Sequence, residues 1–233
     1  MLLSLKMSTT ERSPGSPAPT PDHADPSGIV LKETELDGTT YVCPTWDQMG
    51  EYTFQLQGRI ISSGQTFDRI VALAKGGWTW ARTLADWLDI DPLSSVRLKS
   101  YSGIGKAGKP EITQPLADPI SGERILLFDE VIDSGETIKK AHEYLSVMGA
   151  RIVKTAALCY KPRSIVEPDF HGFKTDAWVV FPHEIREFIE ESAMSWGKSE
   201  MSKDQVKERL AEIGIPLPQI DFVIDRFWSS VME

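Results

Sequence analysis

The 233 residues suit one domain with some additional structure, and 41% hydrophobic and 25% charged residues are ordinary proportions for a globular protein. A formal net charge of −9 argues against a protein that coats nucleic acid, because binding the phosphate backbone depends on clustered Lys and Arg. No apolar run approaches the roughly 20 residues of a membrane-spanning helix, so no membrane partner is expected. Cys43 and Cys159 form no CxxC pattern, which fits a reducing, cytoplasmic compartment.

Three regions follow from composition. Residues 8–27 are rich in Pro, Ser and Thr and nearly free of large apolar side chains, so residues 1–28 are predicted to be a disordered leader. Residues 29–185 are predicted to form the main domain. Residues 186–233 are predicted to be a helical C-terminal extension.

Apolar strands alternate with helices through the predicted main domain. A strand is expected over 40–43, and Thr45 with Gln48 then forms a capping-box pattern that opens a helix reaching about residue 61. The remaining predicted strands cover 69–74, 95–100, 124–128, 152–158 and 177–181, and the remaining helices cover 80–88 and 136–148. Such alternation predicts an α/β fold with a mostly parallel sheet flanked by helices.

The pattern becomes helical after His183. Ser202 and Gln205 form a second capping-box pattern, and Gly214 is expected to end the helix that they begin. A last helix is predicted over 219–231. The role of this extension is open.

The most informative stretch runs from Ile125 to Thr137. An apolar strand leads to the adjacent carboxylates Asp129 and Glu130, two apolar residues follow, and Asp-Ser-Gly-Glu-Thr at 133–137 opens a helix. A loop entering a helix offers free amides to a phosphate, and the carboxylates suit ribose hydroxyls. An ordinary strand-to-helix turn capped by Asp133 or Ser134 would explain the loop but not the carboxylate pair.

This stretch resembles the phosphoribosyl pyrophosphate (PRPP) motif of type I phosphoribosyltransferases. In that family acidic–acidic–apolar–apolar–Asp–(Thr/Ser)–Gly–x–Thr follows an apolar strand, whereas this chain has Glu130 where Asp is usual and Glu136 where Lys or a small residue is usual. The resemblance implies a small hood beside the sheet and a need for Mg²⁺. It implies that Asp129 and Glu130 hold the ribose and Mg²⁺, directly or through water, and that Asp133 is the catalytic acid or base. The implied 5-phosphate loop is Asp133, Ser134, Gly135, Glu136 and Thr137.

Two further segments resemble loops of the same family. Lys75, Gly76 and Gly77 follow a strand and resemble its pyrophosphate loop, although Gly-Gly pairs are common in turns. The Gly- and Lys-rich residues 100–110, beginning with Ser100 and Tyr101, resemble the lid that closes over PRPP. An exposed hairpin is the alternative interpretation of that segment.

A third resemblance concerns the base. Lys161 and Trp178 match the elements in which a lysine donates to the purine O6 and an aromatic ring stacks on the base, with backbone near the ring, here Val179, facing the other edge. A carbonyl accepts from lysine, whereas the amino group of adenine does not, so adenine is disfavoured. A surface lysine and a core tryptophan are the alternative interpretations.

The resemblance is closest to short microbial and archaeal-type hypoxanthine-guanine and xanthine-guanine phosphoribosyltransferases. It implies transfer of the phosphoribosyl group of PRPP to a 6-oxopurine (hypoxanthine, guanine or xanthine) with release of pyrophosphate, in purine salvage. Dimers or tetramers are common in that family. Two alternatives remain: a transferase for another nucleobase, and a non-catalytic regulator that binds PRPP or a nucleotide.

Overall fold

The computed structural model describes residues 28–100, 109–199 and 201–231, so most of the predicted leader lies outside it. Its strands, in chain order, are β1 (Glu33–Leu36), β2 (Thr39–Val42), β3 (Arg69–Ala74), β4 (Leu93–Ser100), β5 (Pro110–Gln114), β6 (Arg124–Ile132), β7 (Ile152–Tyr160), β8 (Phe170–Lys174) and β9 (Trp178–Val179). Its helices are α1 (Trp46–Ser62), α2 (Gly77–Leu88), α3 (Glu136–Val147), α4 (Ile185–Gly197), α5 (Lys203–Ile213) and α6 (Leu217–Val231).

The main sheet has six strands in the order β5-β4-β3-β6-β7-β8, and all pairs are parallel except β4 with β5. Along β6, Leu126 and Phe128 pack into the core formed with α1 and α2, while Ile125 and Leu127 pack into the core formed with α3. Both faces are therefore covered by helices, which confirms the predicted α/β fold and explains why the strand is apolar without interruption.

A second, three-stranded sheet has the order β1-β2-β9 and forms the hood. The prediction that residues 177–181 complete the main sheet is wrong. β9 has two residues and pairs with β2, placing Tyr41 beside Trp178. The position next to β7 is taken by β8, which the sequence did not predict. A β-carbon at Gly172 of β8 would lie 2.5 Å from the carbonyl oxygen of Leu158, so the glycine allows this close pairing.

Two element boundaries differ from the prediction in ways that matter for the site. β6 continues past Phe128 to Ile132 because it stays paired with the equally long β7, so the two carboxylates lie inside a strand. α2 begins at Gly77 instead of residue 80, directly after the turn in which the Trp78 amide donates to the Lys75 carbonyl. β1 and β5 were not predicted.

The three C-terminal helices pack around one apolar cluster that includes Ile189, Leu210 and Ile224. The capping box at Ser202 is present, and Gly214 ends α5 in a left-handed conformation with φ of 110°, both as predicted. α6 begins two residues before its predicted start. In the described residues, no helix is long and apolar enough to cross a membrane.

Candidate active site

The direction in which successive strands are added to the main sheet reverses between the neighbouring strands β3 and β6. From β3 the chain proceeds outward to β4 on one side, and from β6 outward to β7 on the other, so the loops after β3 and β6 separate at the carboxyl edge. Ligands of open α/β sheets bind at such a switch point. The predicted pyrophosphate loop follows β3 and the predicted 5-phosphate loop follows β6, so the fold brings these two segments to one edge.

Glu130 of β6 is almost fully buried against the loop that follows β3. A β-carbon at Gly76 would lie 1.6 Å from its Oε1 atom, so this position cannot carry a side chain without displacing the carboxylate. The neighbouring Asp129 accepts a hydrogen bond from the Glu130 amide at 2.9 Å. Burial raises the pKa of Asp129 well above its ordinary value, and the negative charge of Glu130 raises it further.

The carboxylate of Glu130 meets His183. Its Oε2 atom lies 2.5 Å from Nε2 of the imidazole, although the approach lacks the alignment of a hydrogen bond. Burial lowers the pKa of His183, but contact with Glu130 and the negative charges of Glu130 and Glu184 outweigh it, so the net shift is upward. Sequence reasoning missed His183 and Glu184, because nothing local to the segment after Pro182 indicates a buried partner.

The turn after β6 ends at Gly135, the N-cap of α3 with φ of 84°, so Glu136 and Thr137 of the predicted 5-phosphate loop lie in the first turn of the helix. Gly135 packs closely against the loop after β7, since a β-carbon at this position would lie 2.5 Å from Oγ of Ser164. Among the described residues no side chain caps the helix, so the interpretation that Asp133 or Ser134 is the N-cap is wrong. The side chain of Glu136 is exposed to solvent. The loop therefore presents backbone amides at a helix N-terminus, the arrangement that favours an anion.

A pocket of about 550 Å³ opens beside this loop, a size in the range of small-molecule sites. It brings together four predicted site residues, Asp133, Lys161, Trp178 and Val179. It is also lined by Glu33, Gly38, Thr39, Thr40, Val131, Arg163, Thr175, Asp176, Ala177, Phe181 and Glu184. Lys75, Asp129 and Glu130 do not line it.

Lys161 follows β7 and is 4% exposed, so the interpretation as a surface lysine is wrong. Its Nζ donates to the backbone carbonyl of Ala177, and burial lowers its pKa. Trp178 is 55% exposed, so the interpretation as a core tryptophan is also wrong. A buried ammonium and an accessible indole thus border the same cavity.

Arg163 is a pocket residue that the sequence reasoning missed. Its Nη2 and Nε atoms lie 2.6 and 3.0 Å from Oδ1 of Asp133, and both side chains are more than half exposed. The Lys-Pro-Arg sequence directly after β7 is the signal that would have pointed to it, because a cation at the carboxyl end of a strand faces the same edge as Lys161.

Lys75 and Ser100 are predicted residues that do not line the pocket. Lys75 is exposed, and its Nζ lies 3.7 Å from a carboxylate oxygen of Glu187 on α4. Ser100 is the last residue of β4 and pairs with Pro110 of β5. Tyr101 and the rest of the predicted lid up to residue 108 lie outside the described residues.

A mostly parallel sheet with two glycine-bearing loops and a pocket at its carboxyl edge defines the class of α/β proteins that bind phosphorylated ligands there. A family model described as "Phosphoribosyl transferase domain" matches residues 53–187, more than half of the chain. The chain therefore belongs to the phosphoribosyltransferase family, as its sequence motif indicated.

Individual relatives agree with this assignment. The xanthine-guanine phosphoribosyltransferase of Gluconobacter oxydans (strain 621H) is 29% identical over 145 residues, which is 61% of this chain and 83% of that protein. The enzyme of the same name from Ruegeria sp. (strain TM1040) is 29% identical over 156 residues, 59% and 82% of the two chains. The solved structure of a purine phosphoribosyltransferase from Pyrococcus horikoshii Ot3 superposes with a TM-score of 0.55 at 34% identity, covering 61% of this chain and 92% of that one.

Proposed function

We propose that this chain transfers the 5-phosphoribosyl group of PRPP to a 6-oxopurine (hypoxanthine, guanine or xanthine), releasing pyrophosphate, in purine salvage. The observation that carries the proposal is the buried cation of Lys161 in a pocket that also contains Asp133 and Trp178. The names of the relatives from Gluconobacter oxydans and Pyrococcus horikoshii Ot3 support a purine as the acceptor.

Base selection in this proposal depends on Lys161. An ammonium has three N–H donors and no acceptor, so one donor serves the Ala177 carbonyl and others are left for a ligand. A C6 carbonyl accepts such a donor, whereas the amino group of adenine does not. The half-exposed ring of Trp178 stacks on the base, and the Val179 backbone contacts its opposite edge.

In the proposed reaction a purine nitrogen forms a bond to C1 of the ribose as the bond from C1 to pyrophosphate breaks. Asp133, at the pocket edge of the 5-phosphate loop, exchanges a proton with purine N7. The amides at the start of α3, with Ser134 and Thr137, hold the 5-phosphate, and Lys75 with Gly76 and Gly77 holds the pyrophosphate. A lid that includes Ser100 and Tyr101 keeps water from the cation-like centre.

Mg²⁺ fits the donors at this edge. It prefers oxygen ligands, and the pKa of Asp129 is raised by burial and by the charge of Glu130, a setting in which a nearby cation stabilises the carboxylates. Asp129 and Glu130 would hold it directly or through its water shell, together with the ribose hydroxyls. When bound, the ion neutralises the charge that develops on departing pyrophosphate.

The organisation of the protein is also part of the proposal. We expect a disordered leader over 1–28, a catalytic domain over 29–185 and a helical extension over 186–233. We expect a homodimer or tetramer in a cytoplasmic setting. Sedimentation of the purified protein would report the assembly state directly.

The test is to incubate the protein with Mg²⁺-PRPP and, separately, hypoxanthine, guanine, xanthine and adenine, and to follow nucleotide formation. We expect turnover with a 6-oxopurine and none with adenine. Asp133→Asn should lower kcat by about 10²–10⁴, the usual worth of a positioned acid or base. Glu143→Gln, which removes an exposed carboxylate on α3, is the matched control and should keep full activity.

A non-catalytic PRPP- or nucleotide-binding role is the second candidate, and one observation favours it. Glu130 faces His183 and does not line the pocket, so the second acidic position of the motif is diverted from a ribose. PRPP binding by calorimetry without turnover on any base would establish this role. Turnover with adenine, orotate or uracil alone would instead indicate a transferase for another nucleobase.

A further inference from the structure

The hood hairpin, formed by β1 and β2, lies between the pocket and the C-terminal helices. Successive side chains of a strand point to opposite faces of a sheet. On one face of the hairpin Glu33 and Thr40 line the pocket, and on the other Leu36 and Tyr41 pack against the apolar core of α4, α5 and α6. The C-terminal helices therefore support one wall of the pocket from behind.

The hood needs this support. β9 has only two residues, so the hood is mainly a two-stranded hairpin, which is marginally stable unless it packs against another element. At one point of contact the buried Thr34 hydroxyl donates to the carbonyl of Glu212 at 3.3 Å. That carbonyl belongs to the last turn of α5, where no later helical residue can bond it. The hairpin and the helix end thus satisfy each other.

One side chain of α5 holds the tip of the hairpin. Asp37 and Gly38 have φ of 50° and 76°, as the two central residues of a type I′ turn require. Arg209 donates from Nη2 to the carboxylate of Asp37. The three residues that follow Asp37 all line the pocket. The ion pair is therefore one residue away from the cavity.

Arg209 is held in place by its own surroundings. Its side chain is 15% exposed, and its guanidinium carbon lies 4.8 Å from the ring centroid of Trp196 on α4. Its Nη1 atom lies 3.5 Å from Sδ of Met201. A stacked guanidinium has already lost much of its freedom, so holding Asp37 costs little further entropy. Because Asp37 is 74% exposed, we expect the pair to act on the hairpin tip more than on the stability of the whole protein.

We infer that Arg209 is a positioning residue for the pocket: through Asp37 it holds the hood hairpin on the C-terminal helices and keeps residues 38–40 in place beside the ligand. This gives the C-terminal extension a role, although the match to the family ends at residue 187. The purine as ligand rests on the proposed function, whereas the placement of the hairpin by Arg209 does not.

The first measurement is hydrogen exchange, read by mass spectrometry on the full-length protein without ligand. Arg209→Gln and Asp37→Asn should each accelerate exchange over residues 33–42 about twofold to fivefold, the change that corresponds to loss of a partly exposed ion pair. Asn tolerates the positive φ of this position, so Asp37→Asn removes the charge and keeps the turn.

Lys207→Gln is the matched control on the same helix. Lys207 donates to Asp221 and Asp225 of α6, contacts that stay within the C-terminal helices. Its loss weakens the helical extension without touching the hood, so exchange over residues 33–42 should not change.

The second measurement is calorimetry with two probes. Inosine 5′-monophosphate (IMP) carries a 6-oxopurine, whereas ribose 5-phosphate has no base. Arg209→Gln and Asp37→Asn should weaken IMP binding about twofold to fivefold and leave ribose 5-phosphate unchanged, because the hood borders the base and not the loop after β6. The double variant should bind IMP no more weakly than either single variant, since both changes break one contact. In the turnover assay KM for the purine should rise while kcat stays the same.

Three results would each overturn the inference: unchanged exchange over residues 33–42 in both variants, the same acceleration in Lys207→Gln, or unchanged IMP binding in both variants. If Arg209→Gln does not fold, Asp37→Asn decides, because Asp37 is exposed. If the wild-type protein does not bind IMP, the proposed function fails, and hydrogen exchange still decides whether Arg209 holds the hood.

Discussion

Arg163 holds Asp133 by a single carboxylate oxygen: Nη2 and Nε lie 2.6 and 3.0 Å from Oδ1. Arg163 and Asp133 both line the pocket. The forked contact therefore constrains the orientation of the proposed acid or base at the edge of the cavity.

Replacing Arg163 with Gln should lower kcat roughly tenfold, because the orientation of Asp133 is lost while its charge remains. Both side chains are more than half exposed, so the free energy of unfolding should change by no more than about 1 kcal/mol. Arg163→Lys should recover only part of the activity, since an ammonium cannot form the forked contact. Steady-state kinetics and urea unfolding measure the two effects, and full activity of Arg163→Gln would contradict the positioning role.

Gly76→Ala should destabilise the protein by about 1–3 kcal/mol and abolish PRPP binding, because the new methyl group would overlap the Glu130 carboxylate. Gly58→Ala, in the interior of α1, is the matched control. A β-carbon there meets nothing within 4 Å, and the same change should stabilise the helix by roughly 0.5–1 kcal/mol. Urea unfolding and PRPP calorimetry on both variants test this. If Gly76→Ala were as stable as the wild-type protein, the Glu130 carboxylate would have moved aside without a free-energy cost.

Lys161 should make stability rise with pH on the alkaline side. Burial holds its pKa below the ordinary value of 10.5, so between the two values the unfolded chain binds a proton that the folded protein releases. The unfolded state then carries more protons, and raising the pH favours folding. The difference in unfolding free energy, wild type minus Lys161→Met, should therefore increase from pH 7.5 to pH 10. Urea unfolding at both values measures it, and a constant difference would show that the buried ammonium is not desolvated.

Trp178→Ala should raise KM for the purine about threefold to tenfold with little effect on stability, because we propose that the half-exposed ring stacks on the base. Aromatic contacts are worth about 0.5–1.5 kcal/mol, which corresponds to that range. Trp87→Ala removes an equally exposed indole that packs on Phe54 instead of the pocket, and KM should not change. Matching KM values for the two variants would remove Trp178 from the base site.

Sequence patterns predicted those features of the candidate site that are formed by residues close together in the sequence. The segment from Asp129 to Thr137 contains its own strand, loop and helix start, so its sequence sufficed to place it at the carboxyl edge. Lys161, which directly follows a buried strand, was predicted through its resemblance to the purine-site element of the family. The capping boxes at Thr45 and Ser202 involve residues three apart and were also correct.

Contacts between distant segments were not predictable from those patterns. The hood depends on pairing Tyr41 with Trp178, and a two-residue strand has no periodicity of its own. The approach of His183 to Glu130 likewise depends on how the segment after β9 crosses the loop after β3. The residues next to His183 in the sequence do not indicate that it contacts Glu130.

The hood hairpin is attached to the C-terminal helices, mainly to α5. The Thr34 hydroxyl donates to the Glu212 carbonyl at 3.3 Å, Arg209 pairs with Asp37, and Leu36 packs against the core of the C-terminal helices. The same hairpin supplies Thr39 and Thr40 to the pocket. A chain growing from the ribosome therefore makes this wall of the pocket early but cannot anchor it until α5 has emerged, well after the main sheet has been synthesised.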